Sequence, residues 1–374
     1  MSQNEEYRYV SAARSKSKKK KGVRVGRILL VVLLVLGILA AAVAITWKLL
    51  SSTITETYIN QEQSGQLVET IVETPDEYKG DWVNILVAGV SNNPSDLDYP
   101  EEYNGVGMTD IIMYVSYDVK NNKVSVLQIP RDTYVGNDTS VGRISTGKIN
   151  ALYGSGKYKE TDPISNLAEV VQEQYKLNID YYATVDIAAF TEIIDLMGGI
   201  EMYVPYDIWD KVGNYIPKGT HKIDGTTARW ILRQRYCYAQ ADIQRMETQQ
   251  YFYAACFELF KTCTVGDLTR HVLPVVAYRV NTDMPFETMT SLAMSMMKLN
   301  GSDIYITKVL GGATMVNGQS VFVVNPDRTA ALLNDYFRPY GDPVGVAELG
   351  LPTGVAAPTE IADTGKYLVN IIVE

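Results

Sequence analysis

The sequence predicts a layered α/β domain, its sheet covered by helices on both faces and preceded by one transmembrane helix. Three observations predict this. Residues 28–47, ILLVVLLVLGILAAAVAITW, run twenty positions without a charge, the length a helix needs to cross the hydrocarbon core. Beyond residue 81, short apolar runs bounded by turn residues alternate with segments of helical period. Within that alternation YYATVDI, AAFTEIIDLMGG and IEMYV read as strand, helix and strand, a βαβ unit of the kind that builds a layered sheet.

The charge is split by position. Residues 1–27 carry nine Lys and Arg against two Glu, and the remainder carries 25 Lys and Arg against 41 Asp and Glu. A basic flank before an apolar span is retained in the cytoplasm, so everything after Trp47 is expected outside, as a single-pass protein of the cell membrane. The small residues AAAVA at 40–44 would also suit a cleaved signal peptide, but the apolar stretch continues through Ile45, Trp47, Leu49 and Leu50, too far for a signal core. The lysine run beside a span is a topology signal and a contact for anionic lipid rather than a nucleic-acid patch. The chain is thus divided into a basic tail (1–27), the span (28–47), a polar stalk (48–80), the folded domain (81–338, with its core at 82–261) and a Pro- and Gly-rich C-terminal tail (339–374).

In the domain, WVNILVAGV (82–90) is a buried strand. TDIIMYVSYD (109–118) and KVSVLQI (123–129) form a hairpin turning at Asn121-Asn122. Asp162 caps a helix that has Pro163 at its first position and an apolar stripe of Leu167, Val170 and Val171. Gly198-Gly199 stops the helix of the βαβ unit. TTARWILRQR and DIQRMETQQYFYAACFELFK are two further helices, the second packing through Met246, Tyr253, Phe257 and Phe260. SLAMSMMKL reads as a helix, DIYITKVL and SVFVVN as strands, PDRTAALLNDYF as a helix led by Pro326, and KYLVNIIVE as a final strand.

Composition excludes several chemistries. Cys237, Cys256 and Cys263 make neither a disulfide framework nor a metal knuckle; the last two, seven apart on a helix, lie about 10 Å from each other along its axis. With His221 and His271 as the only histidines, a Ser-His-Asp triad or a histidine metal site is excluded in practice. The exported part is acidic, so no nucleic acid is expected as a partner.

The residues that carry chemistry fall in two clusters. A turn near 120–122 brings residue 110 within about two positions of residue 131, so Asp110 and Arg131 share one end of the sheet. An arginine at a strand end offers a planar fork of donors for phosphate; an Arg131–Asp132 turn with a purely structural role is the other reading. The second cluster, RQRYCYAQADIQRMETQQ (233–250), holds Arg233, Arg235, Asp242, Arg245 and Gln249. Asp242, Arg245 and Gln249 at i, i+3 and i+7 form one helical stripe, whereas Arg233 and Arg235 point together only where the chain is extended, so a helix is predicted to end near them. Arginines converging with Arg131 need an anion between them, and a diphosphate matches; surface ion pairs with the many carboxylates are the plainer account.

The ordered set LQIPRDTYV, KINALYGSG (148–156), DLMGGIEMYVP (195–205), KGTHKIDGTTARWILRQR (218–235) and ADIQRMETQQ (241–250) resembles the LytR-CpsA-Psr family of Gram-positive envelope proteins. The resemblance covers roughly residues 82–261 and weakens toward 338. It implies a mixed sheet between helices and an apolar pocket for a polyprenyl chain. It also implies a magnesium-assisted phosphotransferase that moves a glycopolymer, of the teichoic acid or capsule kind, from an undecaprenyl-diphosphate carrier to peptidoglycan. By the same resemblance Arg131 binds diphosphate with Asp132 holding it, and Arg233, Arg235, Arg245 and Gln249 are further head-group ligands. Lys148 and Asp242 support them, and Asp110 is a catalytic residue that binds the metal or orients the nucleophile. Phosphoryl transfer asks mostly for charge neutralisation, which agrees with an arginine-rich site.

Three positions depart from the family pattern. Ser91 stands for an aspartate and Asn93 for an arginine after the first strand, and Met108 stands for an arginine before Asp110. Asp96 or Asp98 in the following loop is the nearest replacement carboxylate. These losses keep a second function open, a non-catalytic paralogue that binds lipid-linked polymer as a scaffold or regulator of envelope assembly. A transcriptional regulator is disfavoured, since an exported acidic domain neither meets nor attracts DNA.

Overall fold

The structure is a computed structural model that describes residues 80–90, 107–234, 237–239, 242–263, 279–285, 299–340, 342–356 and 365–372, with isolated positions between 267 and 295. The basic tail, the expected span at 28–47, the stalk at 48–80 except Gly80, and Ser91, Asn93, Asp96, Asp98 and Arg235 lie outside the described residues, as does most of SLAMSMMKL. Among the described residues no helix is long and apolar enough to cross a membrane.

The centre is a mixed seven-stranded sheet. Its strands are β1 (Trp82–Val90), β2 (Thr109–Asp118), β3 (Lys123–Gln128), β4 (Tyr181–Asp186), β7 (Val280–Thr282), β8 (Ile304–Lys308) and β11 (Lys366–Tyr367), in the order β7-β4-β1-β2-β3-β8-β11. The pairs β1/β4 and β3/β8 are parallel and the other pairs antiparallel. The β2–β3 turn falls where the asparagines predict it: Asn122 adopts φ 52°, the left-handed region that asparagine tolerates, and accepts from the Tyr117 hydroxyl at 2.7 Å.

Every residue of β2 is buried, as a strand covered on both faces must be. Alternate residues feed two cores. Ile85, Val87, Met113 and Val115 meet Phe190, Ile231, Phe252 and Phe257 on one side. Leu86, Ala88, Ile112 and Tyr114 meet Leu167, Val170, Val171 and Leu333 on the other. The first side is roofed by α2 (Ile187–Leu196), α3 (Gly225–Arg233) and α4 (Asp242–Thr262), the second by α1 (Pro163–Tyr175) and α5 (Pro326–Tyr336).

Caps fix where the helices begin. Asp186, Asp224 and Asn325 accept from the backbone N–H groups of Ala188, Thr227 and Arg328, at 2.8, 2.7 and 3.0 Å. Asp162 departs from this: it occupies the cap position of α1, but its carboxylate accepts from the Ser165 hydroxyl at 2.8 Å rather than from a backbone N–H. The helix start rests there on Pro163. Gly198 and Gly199, at φ 81° and 95°, end α2 as expected.

Two expectations need correction. The strand after α2, β5 (Ile200–Val204), does not return to the central sheet; it pairs antiparallel with β6 (Gly219–Ile223) in a separate ribbon packed on α4. A strand with one polar, exposed face suits a two-stranded ribbon better than a doubly covered sheet, and Glu201 supplies that face. The final strand is only Lys366–Tyr367; Leu368–Ile372 is helical and buries Leu368 and Ile371 against the first core. A second ribbon, β9 (Gly311–Val316) with β10 (Gln319–Val324), follows β8 and docks on the loop after β3, where Phe322 N–H donates to Asp132 O at 2.8 Å. Part of the C-terminal tail is also tied down: Gly350 N–H donates to Gln174 O at 3.2 Å, and Arg338 donates to the Tyr175 and Lys176 carbonyls that end α1.

Candidate functional site

The β2/β3 register sets the site. Met113 pairs with Gln128, and Ile129 N–H still donates to Ile112 O at 2.9 Å beyond the last ladder pair, so the register brings Asp110 and Arg131 to the same end of the hairpin. A backbone held this way needs no long reach, and Arg131 Nη1 donates to Asp110 Oδ1. From the first face α3 brings Arg233 in its last turn, with Nε 4.0 Å from Asp110 Oδ2. α3 stops there, since Gln234 turns extended at φ −64°, ψ 140°, as the Arg233/Arg235 spacing predicts. Arg245 and Gln249, one turn apart on α4, line a crevice with Asp110, Met113, Gln128 and Met246. Gln249 Nε2 donates to Leu232 O at 3.4 Å and so ties the end of α3 to α4.

Arg245 is 1% exposed and among the largest fully buried side chains. A guanidinium is buried at a cost of several kcal/mol or more unless a charge answers it, and the answering charge is Asp110. Burial pushes the Asp110 carboxyl up, but Arg131, Arg245 and Arg233 together outweigh that and hold it below the ordinary carboxylate value. Among the described residues Asp110 is the carboxylate that these three guanidiniums share, and it holds them together beside the crevice.

Around this cluster the KINA segment takes position. Lys148 Nζ lies 2.9 Å from Asp132 Oδ1, and Asn150 N–H donates to Arg131 O at 3.2 Å. The carboxylate found on Arg131 is thus Asp110, while Asp132 is engaged by Lys148. Met108 sits against the Asn150 amide at 3.5 Å. Asp242 begins α4, but its side chain and all of Arg235 lie outside the described residues. The structure therefore brings Asp110, Arg131, Arg233, Arg245 and Gln249 into one cluster, with Asp132 and Lys148 beside it.

Sequence reasoning missed Gln128 and Gln250. Gln128 Oε1 accepts from Gln250 Nε2 at 2.7 Å, and its amide donates to Met246 O at 3.4 Å, stitching β3 to α4 under the crevice. A polar residue ending an apolar strand run was the available signal. The crevice itself has space for about one water molecule. Among the described residues no group of three His, Cys, Asp or Glu could hold a metal. Magnesium is bound elsewhere through one or two carboxylates plus substrate phosphates, so Asp110 fits it only as a partner of a phosphate-bearing substrate.

A mixed central sheet roofed by helices on both faces, with an Asp–Arg cluster at one end, defines the class as a layered α/β domain. The LytR_cpsA_psr family model matches residues 44–337, and the chain belongs to that family. Among its relatives, the polyisoprenyl-teichoic acid–peptidoglycan teichoic acid transferase TagV of Bacillus subtilis is 27% identical over 218 residues, 54% of this chain and 54% of TagV. TagU of Bacillus cereus, which carries the same transferase name, is 27% identical over 233 residues, 61% of this chain and 69% of TagU. The alignment thus spans about half the length of TagV. The crystal structure of B. subtilis TagV superposes with a TM-score of 0.54 at 22% identity, covering 70% of this chain and 99% of that one. The shared fold includes the mixed central sheet that the resemblance implied.

Proposed function

We propose that the chain is a membrane-anchored, extracytoplasmic phosphotransferase that attaches an undecaprenyl-diphosphate-linked glycopolymer of the teichoic acid or capsule kind to peptidoglycan. The observation that carries this is the convergence of Arg131, Arg233 and Arg245 on the buried carboxylate of Asp110. Family membership and the transferase names of the relatives support it.

In this reading the three guanidiniums hold the diphosphate and neutralise charge that spreads over the transferring phosphoryl group. Gln249 fixes the end of α3 and with it the aim of Arg233. The acceptor sugar hydroxyl attacks the phosphorus bearing the glycan and releases its proton to solvent as the new P–O bond forms, the bond to the bridging oxygen breaks, and undecaprenyl phosphate leaves with the electron pair. Asp110 keeps Arg131 in place between turnovers. Magnesium, bound by Asp110 and substrate phosphate oxygens, would add to the neutralisation of charge.

The test is release of undecaprenyl phosphate from a lipid-diphosphate glycan by the full chain in detergent, with Arg131→Ala beside it. Release that falls about 100-fold or more in the variant is expected, the scale of losing one transition-state donor. Equal release by both proteins would remove Arg131 from the reaction.

One sequence feature favours a second reading, a binding paralogue. Ser91 stands where the family pattern has an aspartate. Tight binding of the lipid-linked glycan without release, under conditions where TagU turns over, would establish that reading instead.

A further inference from the structure

Lys308 ends β8 at the same end of the sheet as Asp110 and Arg131, level with Gln128 and Met113. In the parallel β3/β8 register it stands beside Gln128, and residues paired across a ladder share a face, about 4.8 Å apart. That face is the α4 face, because Gln128 bonds Met246 and Gln250 there. Ile304 and Ile306 of the same strand belong to the core under α4.

The side chain is buried, 6% exposed. Among the described residues no ion pair or side-chain hydrogen bond forms to its ammonium; burial acts first to lower its pKa, and Glu247 on α4 opposes this from a distance. Glu247 already accepts from the Tyr206 hydroxyl. A cation held out of water with no close counter-ion costs the free protein stability, and at this position a methionine would fill the volume at lower cost. The chain carries instead a fourth positive side chain, one strand over from the pocket wall formed by Gln128 and Met246. The carboxyl ends of parallel strands, where β3 and β8 both finish, are also where open α/β sheets bind ligands.

We propose that Lys308 is a further diphosphate-binding residue of this site, its ammonium taking a phosphate oxygen beside those held by Arg131, Arg233 and Arg245. The identity of the anion rests on the phosphotransferase reading. Lys308 differs from the arginines in kind: a compact point charge on a flexible stem, it follows a phosphate oxygen as charge moves, where a guanidinium fork fixes one geometry.

The probe is inorganic pyrophosphate, titrated calorimetrically into the full chain in detergent, with thermal unfolding recorded for each variant. Lys308→Met is expected to bind pyrophosphate about 10-fold or more weakly than the parent, the scale of a lost charge-assisted contact. Its unliganded Tm should be equal or higher. Lys308→Gln, which keeps polarity and removes charge, should weaken binding similarly, and it stands in should Lys308→Met fail to fold. Affinity within twofold of the parent together with a lower Tm would overturn the proposal and make Lys308 a structural partner of Glu247. Arg131→Ala separates the two claims. If it loses pyrophosphate while Lys308→Met and Lys308→Gln do not, this inference fails and the phosphotransferase reading stands. If the parent chain itself does not bind pyrophosphate, both fall.

Discussion

Replacing Asp110 by Asn keeps the side-chain shape and removes the negative charge that, among the described residues, the three guanidiniums share. The side chains of Asp110, Arg131 and Arg233 are 4%, 16% and 20% exposed, so the pair is buried on the carboxylate side and partly wet on the arginine side. Breaking a fully buried pair costs roughly 3–5 kcal/mol and an exposed one about 1 kcal/mol or less, which puts this loss on the order of 2 kcal/mol. For a domain of this size that is a fall in Tm of roughly 4–8 °C. Calorimetry or denaturant titration of the full chain measures it.

The same substitution has a signature in acid. The folded carboxyl lies below its ordinary value near 3.8, since the arginines outweigh the effect of burial. Its stabilising contribution is therefore complete above that value and is lost as pH falls through the lower folded value. The Asn variant should lack this part of the acid limb. It should also gain more Tm from added pyrophosphate than the parent does, because the anion then supplies the missing negative charge. A variant as stable as the parent, with an unchanged acid limb, would refute the account of Asp110 as the counter-charge of the cluster.

Other outcomes follow from single residues. Gly225→Ala should destabilise by about 2 kcal/mol or more in denaturant titration, because a Cβ there would stand 2.0 Å from Thr191 O at the α2–α3 contact, and backbone cannot give way as a flexible side chain does. Asp283 is pushed up to about 6, chiefly by burial, against the Tyr182 N–H it accepts from at 2.8 Å. A carboxyl raised on folding stabilises below its unfolded value and loses that contribution as pH rises through 6. Asp283→Asn should accordingly raise stability at pH 7 by roughly 1–2 kcal/mol and flatten the profile between about pH 4 and 6. Ser91→Asp should increase transfer about 10-fold or more if the missing carboxylate limits catalysis; unchanged turnover in the release assay would show that the site works without it.

Much of the site was legible because it depends on register and period. A four-residue turn ending in Asn121-Asn122 fixes the hairpin register, and that register runs Asp110 and Arg131 toward one another. A spacing of four on one helix puts Arg245 and Gln249 on one side, and an i, i+2 pair of arginines marks a helix end, which α3 has at Arg233. Which carboxylate holds Arg131 was less legible. Asp132 is adjacent in sequence, yet both residues stand in a turn closed by Thr133 N–H on Pro130 O, and there Asp132 meets Lys148 of the following loop. The βαβ reading failed at its second strand because strand propensity says that a segment is extended, not which partner it pairs with. β5 found β6 instead.

The sequence by itself determined the α/β class, the helix led by Pro326, the helix end near Arg233, and the hairpin that brings Asp110 near Arg131, since each depends on contacts local to its own stretch of chain. Only the tertiary structure decided that α3 and α4 deliver Arg233 and Arg245 to that pair, that Gln128 stitches the sheet to α4, and that Lys308, some 180 residues beyond Gln128 in the chain, ends beside it. Long-range pairing is set by how two apolar faces of one sheet are covered. That is a property of the whole packed core, and no local pattern encodes it.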